Sequence, residues 1–265
     1  MELFQPQVGG PCHLLRKYYH KNMKININNI QFISNTDVRW YLSSQIIWIG
    51  KEKNYGEIEE LINKSYGSFK WLWSDSDTIL FNKEDLNFIG AVIKLNEPII
   101  VKSGKMDKVL LEEREGNIKI SEERNFECNL SDFTEYYIEE DNLLSYSEKW
   151  DRANLSIEIK ITSDFSVVLQ NNEMVGILIY YASNHLIPDV VYHVDANENI
   201  DSNLCIKLGR FFELIEKIDN DDDLTQHGEL ELKKAFLEIY EEVLPYNELS
   251  YVALKDTILN VVDYL

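Results

Sequence analysis

Cysteine is scarce and badly spaced for a structural role. Cys12, Cys128 and Cys205 are odd in number, far apart and without a CxxC pair, so neither a disulfide framework nor a zinc knuckle is expected, and a reducing cytosol suits the pattern. Long apolar runs are missing as well. The most hydrophobic stretch, Val175 to Ala182, has the length of a strand and falls well short of the roughly 18–20 residues of a membrane span. No membrane partner is expected. With 5 prolines and 11 glycines, collagen-like and low-complexity chains are excluded. Positive charge is in deficit: 26 Lys+Arg face 46 Asp+Glu, a net charge of -20 with pI about 4.6. Such a field repels phosphate backbones and anionic lipid, so direct nucleic-acid backbone binding is not expected, and it favours a basic partner.

Local catalytic signatures are also wanting. There is no GxGxxG or GxSxG, and Ser103-Gly104-Lys105-Met106 lacks the upstream glycine and the following Ser or Thr of a P-loop. No cofactor is implied, although triads that assemble in space leave no local trace.

What is present is a foldable chain. Its 45% hydrophobic and 12% aromatic content supplies the apolar surface that offsets ordering entropy, and 265 residues make one large domain or two small ones. Residues 1–22, basic and carrying Pro6, Gly9, Gly10 and Pro11, read as a loosely attached N-terminal arm ahead of Met23. Alternation in Lys24–Ile33, Trp40, Leu42 and Ile46–Ile49 predicts strands. Asn54 three residues before Glu57 resembles a capping box opening a short helix, with Gly67 as its end. Thr78–Phe81 and Phe88–Leu95 read as a hairpin, as do Ser166–Leu169 and Val175–Tyr181; the two resemble each other enough to raise a duplication. Leu155, Ile157, Ile159 and Ile161 alternate as a half-buried strand. Three helices close the chain, on the stripes Leu204–Ile218, Phe236–Val243 and Leu254–Leu265. The whole predicts an α+β fold, mainly antiparallel sheets from hairpins with helices in the C-terminal third. It divides into an α+β lobe at 23–130, an acidic and aromatic connecting segment at 131–151, and a second lobe at 152–265; a single continuous domain is the alternative.

Three constellations invite chemistry. His185, Asp189, His193 and Asp195 form the densest set of metal-competent side chains, near a Pro188 turn, and define an alternative reading as a metal-dependent hydrolase. Asp219, Asp221 and Asp223 suggest an EF-hand, but Leu224 and Leu230 stand where glycine and a bidentate Glu are needed. Glu158-Ile-Lys160 matches the acid and lysine of metal-dependent nucleases, without the preceding acid.

The strongest signal is acid interleaved with aromatics. Asp132, Glu135, Glu139, Glu140 and Asp141 alternate with Tyr136, Tyr137, Tyr146 and Trp150; Tyr and Trp anchor interfaces, and surrounding acids steer a basic partner. The C-terminal helices offer a second surface through Glu231, Glu238, Glu241 and Glu242. The expectation is a cytoplasmic, acidic binding protein that inhibits a basic toxin or nuclease by occluding its active site, as a bacterial immunity protein does. Richness in Asn, Ile and Lys matches an AT-rich bacterial genome.

Overall fold

The computed structural model describes residues 23–28, 37–68, 77–108, 110–189, 191–192, 198–219 and 225–265. The N-terminal arm, His193, Asp195, Asp221 and Asp223 lie outside the described residues. The protein is α+β, with mostly antiparallel strands and three helices in the C-terminal third.

The chain opens with β1 (Ile25–Asn28), β2 (Asp37–Tyr41), β3 (Ile46–Gly50), the helix α1 (Tyr55–Asn63), β4 (Ser65–Ser68), β5 (Thr78–Asn82), β6 (Phe88–Lys94) and β7 (Ile100–Lys102). It continues through β8 (Leu111–Glu115), β9 (Asn117–Ile120), β10 (Phe133–Tyr137), β11 (Asn142–Tyr146), β12 (Ser156–Lys160), β13 (Phe165–Gln170), β14 (Glu173–Ile179) and β15 (Leu186–Ile187). Then come α2 (Ser202–Asp219), α3 (Gln226–Val243) and α4 (Leu249–Tyr264). Asn54 caps α1 as its spacing predicts, accepting from the Glu57 amide at 3.0 Å while Glu57 accepts from the Lys53 amide at 2.8 Å. Gly67 does not end that helix. It lies inside β4, where a Cβ would stand 1.9 Å from the Ile79 carbonyl oxygen; close approach of two backbones requires glycine there.

Among the described residues the main sheets run β15-β2-β3-β6-β5-β4 and β7-β10-β11-β14-β13-β12-β8. Five consecutive strands of each, β2-β3-β6-β5-β4 and β10-β11-β14-β13-β12, have the same antiparallel order, and the correspondence extends to register. Leu80 pairs with Gly90 just before a bulge in β5–β6, and Val168 pairs with Gly176 just before a bulge in β13–β14. Gln45 and Asp141 take the left-handed conformation (φ 53° and 51°) immediately before β3 and β11. The resemblance between the two hairpins in sequence thus marks a repeated five-strand unit.

The two units are laced together. β7 follows β6 in the chain but pairs in parallel with β10 of the other unit, while β15 follows β14 and pairs in parallel with β2. β1 and β9 pair antiparallel, Ile25 against Ile120. Trp40 and Tyr136, at matching positions of β2 and β10, both pack on Phe212 of α2, at 5.7 Å each. Both sheets and the helices contribute to one continuous core. α2 lies against β7 and α4 against β15, covering strand edges that would otherwise template association. β8 instead carries the sequence LEERE, and charge blunts it. No described helix is long and apolar enough to cross a membrane.

Candidate functional site

Residues 133–146, read from the sequence as part of a connecting segment, are two strands of the larger sheet. The alternation of β10 therefore decides which of its aromatics a partner can reach. Tyr136 points inward and is fully buried; its hydroxyl donates to Asp141 at 2.8 Å. Asp141 is buried too, and accepts from the Ser183 amide at 3.0 Å and hydroxyl at 2.7 Å. Burial lifts the Asp141 carboxyl above its ordinary range, against these hydrogen bonds. Neither residue faces a partner: they tie the β10–β11 turn to the segment before β15.

Phe133, Glu135 and Tyr137 point the other way, where they meet Tyr146 of β11 and the turn that follows it. Of the three only Phe133 is exposed; Glu135 and Tyr137 are buried, the latter against Met106, Leu144 and Leu178. Phe133, Tyr146 and Trp150 form a row, with ring centroids 5.4 and 5.5 Å apart, and Phe133 is 51% exposed. The Arg152 guanidinium lies over Tyr146 at 5.3 Å and over Trp150 at 5.2 Å. It also donates to both Glu135 oxygens at 3.1 Å. Glu135 further accepts from Tyr137 at 2.5 Å and Tyr146 at 3.3 Å, and Lys102 stands 3.7 Å away. Burial pushes the Glu135 carboxyl up, but the Tyr137 hydroxyl and Arg152 overcome it and hold the group below its usual range. Burial and the bond to Glu135 push the Tyr137 hydroxyl up to about 12. Trp150 is fixed by its indole N–H, which donates to Ser156 at 2.9 Å.

The acids around this row differ in their freedom. Asp132 is spent on the turn, accepting from the Glu148 amide at 2.9 Å, the Ser147 hydroxyl at 3.2 Å and Asn129. Glu140 accepts from the Met106 amide at 2.8 Å. Glu139 and Glu148 are exposed; Asp151 is exposed too but closes a turn, accepting from the Ala153 amide at 3.0 Å and from Asn154 at 2.6 Å. On α3, Glu242 is paired with Lys207 and Arg210 of α2, Glu231 lies 3.2 Å from His227, and Glu238 and Glu241 are exposed.

The two described members of the metal-competent set, His185 and Asp189, are committed elsewhere. His185 is buried, with Nδ1 3.1 Å from the Val38 carbonyl, Nε2 3.2 Å from the Tyr180 carbonyl, and Asp164 at 3.4 Å from the same nitrogen. Both ring nitrogens are occupied. Asp189 is exposed and closes a turn by accepting from the Val191 amide at 3.1 Å. Among the described residues, no group of three or more His, Cys, Asp and Glu side chains is placed to hold a metal ion. Glu158 is fully buried and held by Tyr180 and by Lys108 at 3.5 Å, while Lys160 pairs with Glu113 at 2.9 Å. Ser183 spends its hydroxyl on Asp141, and burial pushes the neighbouring Cys205 thiol up to about 12, far from the range of a nucleophile. Burial likewise raises Cys128. Cys128, Met23 and Met174 line a cavity of about 30 Å³, enough for water and too small for a substrate.

Arg152 and Lys102 are the residues of this face that pattern reading misses, since Glu135 and Arg152 are 17 positions apart and only the fold brings them together. No protein-family model matches the chain and no curated protein matches it.

Proposed function

We propose that this protein binds another protein through the outer face of the β10–β11 hairpin, and that its partner is basic. The observation that carries the reading is the row Phe133, Tyr146 and Trp150 with Arg152 laid across it. Tyr, Trp and Arg dominate interface hot spots because they bury large area with little entropy to lose, and here their rotamers are already fixed by Glu135 and Ser156. Glu148 and Asp151, on either side of Trp150 in the chain, are exposed, as is Glu139 in the turn at the other end of the hairpin, and the net charge of -20 extends the attraction to a basic surface. The activity that fits is occlusion: the aromatics fill a cleft in a cationic toxin or nuclease while the acids occupy the place of its polyanionic substrate. In this reading the protein is a cytoplasmic inhibitor of the immunity type, acting by binding alone.

The test begins with recovery of the partner by pull-down from the native host, followed by surface plasmon resonance on variants. Tyr146→Ala and Trp150→Ala are expected to speed dissociation, each by on the order of 2 kcal/mol. Neutralising Glu139 and Glu148 together is expected to slow association and flatten its salt dependence, with dissociation little changed. Kinetics unchanged across all these folded variants would refute the proposed face.

A further inference from the structure

We propose that α3 carries a self-association surface whose occupant is a second copy of this chain, packed antiparallel across a two-fold axis at Leu237. The inference goes beyond the reading above and shares no residue with the β10–β11 face. Leu230 and Leu237 on this helix, and Leu244, which caps its end in a helical conformation, are 66%, 40% and 46% exposed. They do not belong to the side that packs inward, which is formed by the fully buried Phe236, Ile239 and Val243. Seven-residue spacing drifts only about 20° per repeat on a helix. The leucines therefore line one stripe about 21 Å long, at 1.5 Å per residue, down the solvent side. Leucines exposed to water in line on one side of an otherwise strongly charged helix are apolar surface that a partner can cover.

The charges beside the stripe identify the occupant. At 100° per residue, Lys234, three positions before Leu237, and Glu241, four positions after it, fall on the same flank. Neither makes an ion pair among the described residues, and they are too far apart along the helix to pair with each other. Reversing a second copy about Leu237 lays Leu230 on the partner's Leu244. The same operation sets Lys234 beside the partner's Glu241, and symmetry repeats the pair on the other side of the axis. A parallel arrangement would instead turn this flank toward the partner's opposite flank, setting Lys234 near Lys233 and Glu241 near Tyr240, with no attractive pair and two lysines together. The stripe is thus self-complementary in one orientation only. Pairing would also relieve the like-charge contact of Glu238 with Glu241, which costs a few tenths of a kcal/mol in a lone helix.

The full chain is to be examined by sedimentation equilibrium at up to roughly 100 µM, a range suited to a small interface. About 0.15 M salt screens the repulsion between acidic chains beyond about 8 Å. The mass is expected to approach twice the 31.1 kDa of one chain. Leu237→Lys, which sets like charges on the two-fold axis, should hold the protein monomeric with unchanged helix content. Lys234→Glu and Glu241→Lys should each weaken association by about tenfold, since each turns two attractive pairs into repulsive ones. Mixing these two variants should restore it, because in the mixed dimer both pairs again set an acid against a lysine. The double variant should associate by itself, with the signs of both pairs exchanged. A wild-type chain that stays monomeric would overturn the proposal. So would a dimer indifferent to Leu237→Lys, or charge variants that weaken association without rescue on mixing.

Discussion

Two carboxylates show how much the company of a buried acid matters. Asp77 is 1% exposed and accepts from the Leu130 amide at 2.6 Å, the Lys94 amide at 3.3 Å and the Ser131 hydroxyl at 3.1 Å, with no cation paired to it among the described residues. Burial wins, and its carboxyl rises to about 6. Because the folded state holds this proton more tightly than the unfolded chain does, the associated stability is fully present below about 4 and is lost as pH rises through about 6. Relative to Asp77→Asn, the wild type is expected to gain roughly 1 kcal/mol between pH 7 and pH 5. Urea titrations of both proteins at the two pH values measure this, and parallel behaviour would remove Asp77 as the titrating group. Glu135 has the opposite company, and its charge is consumed by Arg152 and Lys102 rather than offered to a partner. Arg152→Ala should therefore destabilise by about 2 kcal/mol, less than for a fully buried pair, because Arg152 is 37% exposed. Glu135→Gln in the same chain should recover most of that loss, again by urea titration. The sequence groups Glu135 with the steering acids because it shows the charge and hides the hairpin register that supplies Arg152.

At the scale of elements, what could be foreseen was whatever had a period long enough to see. The hairpins β5–β6 and β13–β14, the cap of α1 and the stripes of α2 to α4 all lie where alternation, Asn54–Glu57 spacing and 3.6-residue periodicity place them. β10 and β11 were hidden because their outward positions carry Phe133, Glu135, Tyr137 and Tyr146, so polar and apolar residues do not alternate even though inward and outward positions do. β7 and β15 have three and two residues, too few for any period. The glycines mark where strands crowd rather than where they end. A Cβ at Gly90 would meet the Ile49 carbonyl oxygen at 2.8 Å and one at Gly176 the Ser145 oxygen at 3.0 Å, at matching places in the two units, whereas at Gly67 the gap is 1.9 Å. Gly90→Ala and Gly176→Ala are each expected to cost about 1–3 kcal/mol, with Gly67→Ala the worst of the three. Thermal melts of the set would show the order, and a Gly67→Ala protein as stable as the other two would contradict the close approach.

For the molecule as a whole, the exchange of β7 and β15 means that neither five-strand unit keeps its own edge strand. Unfolding should therefore be a single transition with calorimetric and van't Hoff enthalpies in agreement; two resolved transitions would show that the units are independent despite the lacing. The structural repeat is only half visible in the sequence because matching positions share their geometry and differ in their chemistry: Arg39 stands where Glu135 does, and Gly50 where Tyr146 does. The same lacing has a consequence for how the chain is made. His185, which bonds the Val38 carbonyl just before β15 meets β2, is 147 positions downstream of it. At 5–20 residues per second on the ribosome, β2 emerges about 7–30 seconds before its neighbour exists. During synthesis the first unit waits with an unpaired edge beside Val38 and Trp40, and a nascent chain in that state is a natural client for a holding chaperone.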